Sequence, residues 1–358
     1  MRTHLRTGSR GLTALAAGTV AVVAVALLPG SAGAAETSPV GYGAGTTGGG
    51  SSAAVTVTSL DAFKTAVTGT AAKTVKVSGI ISLSGQVDVG SNTTVLGVGS
   101  SSGFTGGGLR LKNSTNIVIR NLNISKPVAP ADGITVQKST KVWIDHNTFS
   151  ADRDHDKDYY DGLLDITHAS DQVTVSWNTF KDHYKGSLVG HSDSNASEDT
   201  GHLHVTYHHN YFNNVNSRIP SLRFGTGHFY DNYVVGASTA VHSRMGAQML
   251  VENNVFRSTE VAITTIRDSD EDGYVVERGN DLGGAATEIS QVGTLTQAPY
   301  SYTAEPASSV VSSVTGGAGA GKIQGLSFGS GRAPALVGVR PAAGPAATRR
   351  RSGASPSA

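Results

Sequence analysis

Cysteine is missing from the chain. That excludes disulfide staples, thiol catalysis and cysteine-ligated zinc, so the folded part must be held by a core of its own. Long apolar runs are missing too, with one exception. Residues 11–28 are small or apolar, follow Arg2, Arg6 and Arg10, and lead through Pro29-Gly30 into Ala32-Gly33-Ala34. A basic start, an apolar middle and a small-residue cleavage site make a secretory signal peptide over residues 1–34. Gly and Thr within the run, and the cleavage pattern behind it, argue against a membrane anchor. No other stretch is long enough to span a bilayer, so the mature chain is expected to be secreted, extracellular and free of the membrane.

Acidic residues are missing from both ends. Residues 323–358 are rich in Gly, Ala, Pro and Ser, contain five arginines and show no hydrophobic period, and read as a flexible low-complexity tail. Setting aside these five and the three arginines of the leader leaves 20 Lys and Arg against all 27 Asp and Glu. The region between therefore carries −7, although the whole chain is +1. An acidic domain is a poor general binder of nucleic acid, and a polyanionic ligand would need a local basic patch or a bridging cation. No linker interrupts residues 35–322, which read as one domain and as a monomer.

What is present is a repeat. "VWIDHNTFS" begins at Val142, "VTVSWNTFK" at Val173, "HVTYHHNYF" at His204, "GHFYDNYVV" at Gly227 and "MLVENNVFR" at Met249. Each is a short β-branched or aromatic strand ending in Asn-x-Phe or Asn-x-Val. Asn147, Asn178, Asn210, Asn232 and Asn254 recur at intervals of 31, 32, 22 and 22. "NIVIRNLNIS" from Asn116 is a weaker copy without the aligned Asn. Such spacing predicts an all-β coil that advances one rung per repeat, a parallel β-helix. One rung cannot bury its inward side chains, whereas stacked rungs share a core. The asparagines are expected to form an amide ladder at one corner, with Phe149, Phe180, Phe212 and Phe256 stacked inside. The two longer intervals are rungs with inserted loops, a common place for sites. Only Asp61–Val67 reads clearly as a helix, placed to cap the N-terminal end of the coil.

Four ordered motifs then resemble a known family: "VWIDH" at 142–146, "DGLLDI" at 161–166, "HYKGSLVGHSDS" at 183–194 and "SRIPSLRFG" at 217–225. Together they look like the pectate lyases, the right-handed single-stranded parallel β-helix group that includes Bacillus-type enzymes and the related pectin lyases. The resemblance implies β-elimination on polygalacturonate. A proton leaves C5 of a galacturonate ring, the C4 glycosidic oxygen departs, and the new non-reducing end is unsaturated. Abstracting a proton beside an existing carboxylate piles charge onto an anion, so a site for this chemistry must neutralise that carboxylate and place a base near C5.

By the same resemblance, Asp132, Asp161 and Asp165 are calcium ligands. Lys185 and Arg223 bind substrate carboxylates, and Arg218 is the proton-abstracting base. Asp132 lies 11 positions before Trp143 in "PADGITV", and Lys185 lies 20 after Asp165, as in the family. A further acid found in some relatives is replaced by Pro130, and a third arginine by Ser221. Gly162 permits a bend that lets Asp161 and Asp165 face one ion. Arg218 and Arg223 would face opposite ways in a straight strand, and Pro220 breaks that parity. An arginine base must first lose its proton, which neighbouring cations favour, so activity is expected to rise into the alkaline range.

Other readings are weaker. A β-helix polygalacturonase needs paired carboxylates around a water, with motifs that Gly190-His191-Ser192 and Arg218-Ile219-Pro220 do not match. A pectin lyase acting on methyl-esterified chains lacks the metal acids and is rich in groove aromatics; this chain keeps its three aspartates and has two Trp. A non-catalytic polysaccharide-binding β-helix would have no need of the full set of charges. "DRDHDKDYYDGLLD" at 152–165 begins like an EF-hand, but Lys157 and Leu163 stand where Gly and Glu are required. Its alternating aspartates read as a solvated loop. His202, His204, His208 and His209 are expected on a solvent face rather than on zinc, and "GHSDSN" at 190–195 is expected to be a structural turn.

Overall fold

The structure, a computed structural model, describes residues 35–323. The expected leader lies outside them, as does the expected tail apart from Ile323, which is buried. The described chain is a parallel β-helix of about ten turns. Ten strands, from Ala54–Val57 through Thr140–Asp145 and His204–His208 to Tyr274–Arg278, form one parallel sheet. The remaining strands form a second ladder that divides at Gly103–Lys112. The first residues of that strand pair with Asn123–Ser125 and its last with Ile134–Gln137. The two branches are the other two sides of the coil. One runs through Thr148–Ser150, Thr179–Lys185 and Tyr211–Ser217. The other runs through Leu164–Thr167, Leu188–Val189, Ser221–Arg223 and Thr239–Arg244.

Register explains the core. Ile119, Ile144, Val175, Tyr207, Phe229 and Val251 occupy the same position on successive rungs and are all buried. The corner after this sheet is built identically on each rung. His146, Trp177, His209, Asp231 and Asn253 adopt φ of 52–54°, and the asparagine that follows points inward. Asn147, Asn178, Asn210, Asn232 and Asn254 form the expected ladder. Each Oδ1 accepts both the backbone N–H and the Nδ2–H of the asparagine one rung before, at 2.8–3.0 Å. Asn280 adds a further step at the C-terminal side. At the other end Leu122 takes the equivalent place, and its N–H donates to Asn147.

Phe149, Phe180 and Phe212 stack with centroids 4.8 and 4.6 Å apart and planes within 6° of parallel. Phe256 does not extend the stack, contrary to expectation, because Val234 occupies the rung between it and Phe212. The capping helix spans Leu60–Val67, with the Ser59 hydroxyl accepting from the Ala62 N–H. It turns Phe63 and Val67 onto the open end of the core. A second helix, Ala307–Gly317, was not legible: its Ser- and Gly-rich sequence has only Val310 and Val314 to bury, which pack beside Val255.

The histidine expectation needs correction. His202 is exposed and His204 half-buried, but His208 and His209 are buried. Chain segments from both ends lie across the outer face of the ten-stranded sheet. Tyr42 and Gly43 donate backbone N–H groups to Thr206 and Thr174, and the Tyr300 hydroxyl reaches Thr206 and His228. A solvent face by pattern has become an interior by cover. Burial there pushes Asp231 from 3.8 up to about 8, with the charges of Glu305 and Glu252 adding to it and the Glu305 N–H opposing. Between those values the unfolded chain is ionised while the folded one keeps its proton, so stability falls as pH rises through this window. Asp231→Asn is therefore expected to raise the melting temperature at pH 9, by about 1–2 kcal/mol of stability, and to change it little at pH 4. Differential scanning fluorimetry at both values checks this.

Candidate active site

The sequence-derived residues gather on one side of the coil, where the inserted loops enter. Asp132 immediately precedes the strand Ile134–Gln137, and Asp165 lies in Leu164–Thr167 on the next rung, in register with Thr135. Asp132 Oδ2 accepts from the Thr135 hydroxyl at 2.5 Å, and Asp165 Oδ1 from the Leu188 N–H at 3.1 Å. Asp161 Oδ1 accepts from the Gly162 N–H at 3.0 Å. Gly162 serves by lacking a side chain: a Cβ there would lie 2.4 Å from Asp165 Oδ1. Space for a carboxylate, rather than a bend, is what the glycine provides.

Asp132 and Asp165 lack sufficient counter-charge. Desolvation at the groove floor, then the charge of Asp165 and, beyond the opposing Thr135 hydroxyl, that of Asp161, push Asp132 up to about 8. Desolvation is also the main cause holding Asp165 up at about 6. The Leu188 N–H and the Arg218 guanidinium draw it down, Asp161 raises it, and Lys185 lowers it. Among the described residues no three acidic, imidazole or thiol groups converge closely enough to hold a metal by themselves. The donors are nevertheless hard oxygens in want of positive charge, which fits a cation such as Ca²⁺ whose remaining ligands come from water or a bound anion.

The cations stand on the following turns. Lys185 ends the strand Thr179–Lys185 and pairs in register with Ser217, the residue before Arg218. Its ammonium lies 3.1 Å from Asp158 and 3.3 Å from Asp161. Arg218 sits at the corner between Tyr211–Ser217 and Ser221–Arg223 with φ 59°, so it belongs to neither strand and the parity argument does not govern its direction. Among the described residues its guanidinium forms no ion pair, while its carbonyl accepts the Ser187 N–H at 2.7 Å. Arg223 lies further along the same side, held by Asp193 and by the Gly190 carbonyl at 2.8 Å.

The family model described as pectate lyase matches residues 9–323. The chain belongs to the pectate lyase family. It is 52% identical over 260 residues to a probable pectate lyase A of Aspergillus fumigatus, covering 72% of this chain and 79% of that one. It is 50% identical over 289 residues to pectate lyase A of Emericella nidulans, covering 79% and 87%. Among solved structures it resembles a pectate lyase from Bacillus sp. N165 in complex with trigalacturonate, with a TM-score of 0.73 and 33% identity over 80% of this chain and 99% of that one. The protein is thus a polysaccharide lyase.

Around the pectate lyase site the structure adds residues to which no motif had assigned a role. Arg244 pairs in register with Arg223 one rung on. Burial and the nearness of Arg223 lower its guanidinium to about 10, partly offset by Asp193 and Asp268, with Arg218 adding to the crowding. Asp193, read as part of a structural turn, is the counter-ion of this arginine pair, 3.7 Å from Arg244. His183 is buried, and its Nδ1 accepts the Lys185 N–H at 2.8 Å. Burial, then the Lys185 charge, brings it down to about 4, so it is neutral and can accept. Arg244 and Asp193 act through contacts between rungs or loops, and His183 through the backbone of its own strand, so their types and spacing gave none of them a role.

The acidic stretch is also more ordered than a solvated loop. Asp152 accepts from the Asp154 N–H and the Tyr160 hydroxyl, and lies 2.7 Å from His155 Nδ1. Arg153 stacks over Tyr184 and donates to Asn214 and Asn216 two rungs away. Asp154 and Asp156 are exposed, as expected of a solvated loop, while Asp158 reaches Lys185.

Proposed function

We propose that this pectate lyase is a secreted enzyme that cleaves polygalacturonate by calcium-dependent β-elimination. The observation that carries this reading is the juxtaposition, on successive turns of one side, of under-neutralised Asp132 and Asp165 with Lys185 and with Arg218, which forms no ion pair among the described residues. Asp132, Asp161 and Asp165 would hold the ion. When bound, Ca²⁺ would supply positive charge that neutralises a substrate carboxylate and acidifies the C5 proton.

Lys185 binds the carboxylate of the reacting ring, and His183, by fixing the Lys185 backbone, limits where that ammonium can reach. Arg223, already oriented by Asp193 and the Gly190 carbonyl, binds the carboxylate of a neighbouring ring. Arg218 in its neutral form takes the C5 proton. It is a corner residue that forms no side-chain hydrogen bond or ion pair among the described residues, so its guanidine is left available to the substrate. The glycosidic oxygen then leaves with the C4 bond electrons, and no water is consumed.

The test is an ultraviolet assay for the conjugated 4,5-unsaturated product on polygalacturonate. With calcium the absorbance is expected to rise; EDTA should reduce the rate to background and added calcium restore it. Indifference to EDTA overturns the calcium reading. New reducing ends without absorbance would mark a hydrolase and overturn the elimination.

A further inference from the structure

The two cations assigned to substrate carboxylates are both met by aspartates from inserted loops, but on different terms. Asp193 accepts from Arg223, from the Ser269 hydroxyl at 2.8 Å and from the Asp270 N–H at 2.9 Å, and only 19% of its side chain is exposed. It is built in. Asp158 is 73% exposed, and among the described residues its only side-chain hydrogen-bond or ion-pair partner is Lys185, itself 13% exposed. Lys185 above all, then the neighbouring Lys157 and last Arg218, hold the Asp158 carboxyl below its usual range, so it stands within the field a substrate carboxylate would enter.

We propose that Asp158 is a loop-borne stand-in for the substrate carboxylate: it occupies Lys185 in the free enzyme and must be displaced when a galacturonate ring binds. The idea rests on the reading of Lys185 as a substrate-binding cation. Displacement exchanges one carboxylate for another on the same ammonium, so an ionised ring can compete whereas a methyl ester offers no charge to replace the one lost. Asp158 thereby weakens binding of every chain and weakens esterified chains most. Because the pair is exposed, the effect is modest and sensitive to salt.

Asp158→Asn is expected to lower KM for polygalacturonate by about two- to fivefold at low ionic strength, with kcat changed less than KM. The relative rate on highly methylated pectin should rise. In a Lys185→Ala background the same substitution should have no effect on KM, because the competition it relieves is gone. An unchanged or raised KM for Asp158→Asn overturns the proposal. So does an equal fall in both backgrounds, which would mean only that a negative charge had been removed near a polyanion. If wild-type enzyme fails to cleave polygalacturonate, or Lys185→Ala leaves KM unaltered, it is the assignment of function or of Lys185 that fails instead.

Discussion

Alanine in place of Arg218 is expected to lower kcat on polygalacturonate by about 10²–10⁴-fold, the range typical for loss of a positioned general base. KM should move far less, because Lys185 and Arg223 retain the carboxylate contacts. The prediction is sharp because Arg218 has no structural partner to lose: its guanidinium forms no ion pair among the described residues, and its one recorded hydrogen bond uses the backbone carbonyl. Circular dichroism and melting temperature of Arg218→Ala should therefore match the parent. The parent's kcat should rise with pH into the alkaline range, since only the deprotonated guanidine can take a proton. Full activity in the alanine variant, or a flat profile from acid to strongly alkaline pH, would remove Arg218 from the role of base.

The second large effect is on stability. Asn210 stands in the middle of the amide ladder. Its Oδ1 accepts from both the backbone N–H and the Nδ2 of Asn178, and its own Nδ2 donates to the Val175 carbonyl at 2.9 Å and to Asn232 at 3.0 Å. Alanine there leaves the buried Asn178 backbone N–H without its acceptor and takes one hydrogen bond each from the Asn178 amide, the Asn232 amide and the Val175 carbonyl, besides opening a void at the corner. At about 1–3 kcal/mol for each unsatisfied group, Asn210→Ala should cost about 3–5 kcal/mol. Asn280→Ala, at the part-buried end of the ladder, should cost distinctly less. Chemical denaturation of the two variants beside the parent tests the ordering. A midpoint for Asn210→Ala indistinguishable from the parent would mean that stacking of the rungs, and not the ladder, holds this corner.

The ladder was legible because a solenoid repeats its contacts at intervals visible in the chain. One corner geometry, one inward amide and one stacked ring recur on each rung, so equivalent residues align without knowledge of the fold. The failures fall where that periodicity stops. Phe256 carries the right letter, but the rung before it has Val234. His208 and His209 follow the alternating His202 and His204 and read with them as surface residues, yet chain from both ends of the domain lies over this face, a contact separated by 164 residues in the case of Tyr42 and Thr206. The helix Ala307–Gly317 has too few apolar residues to announce itself.

The site divides in the same way. Asp132, Asp161, Asp165, Lys185, Arg218 and Arg223 could be named from motifs, and the coil that brings them to one side could be inferred from the repeat. Which charges are satisfied could not. Asp193 on Arg223 and Arg244, Asp158 on Lys185, and the lack of an ion pair on Arg218 among the described residues depend on two inserted loops that share no period with the rungs. The sequence by itself determined the coil, its ladder and the kinds of charge available, because those follow from local pattern repeated along an axis. Only the tertiary structure decided which cations are held and which is left open, because an ion pair is made by two side chains meeting in space, and the loops that bring them together are free of the rule that orders the rest.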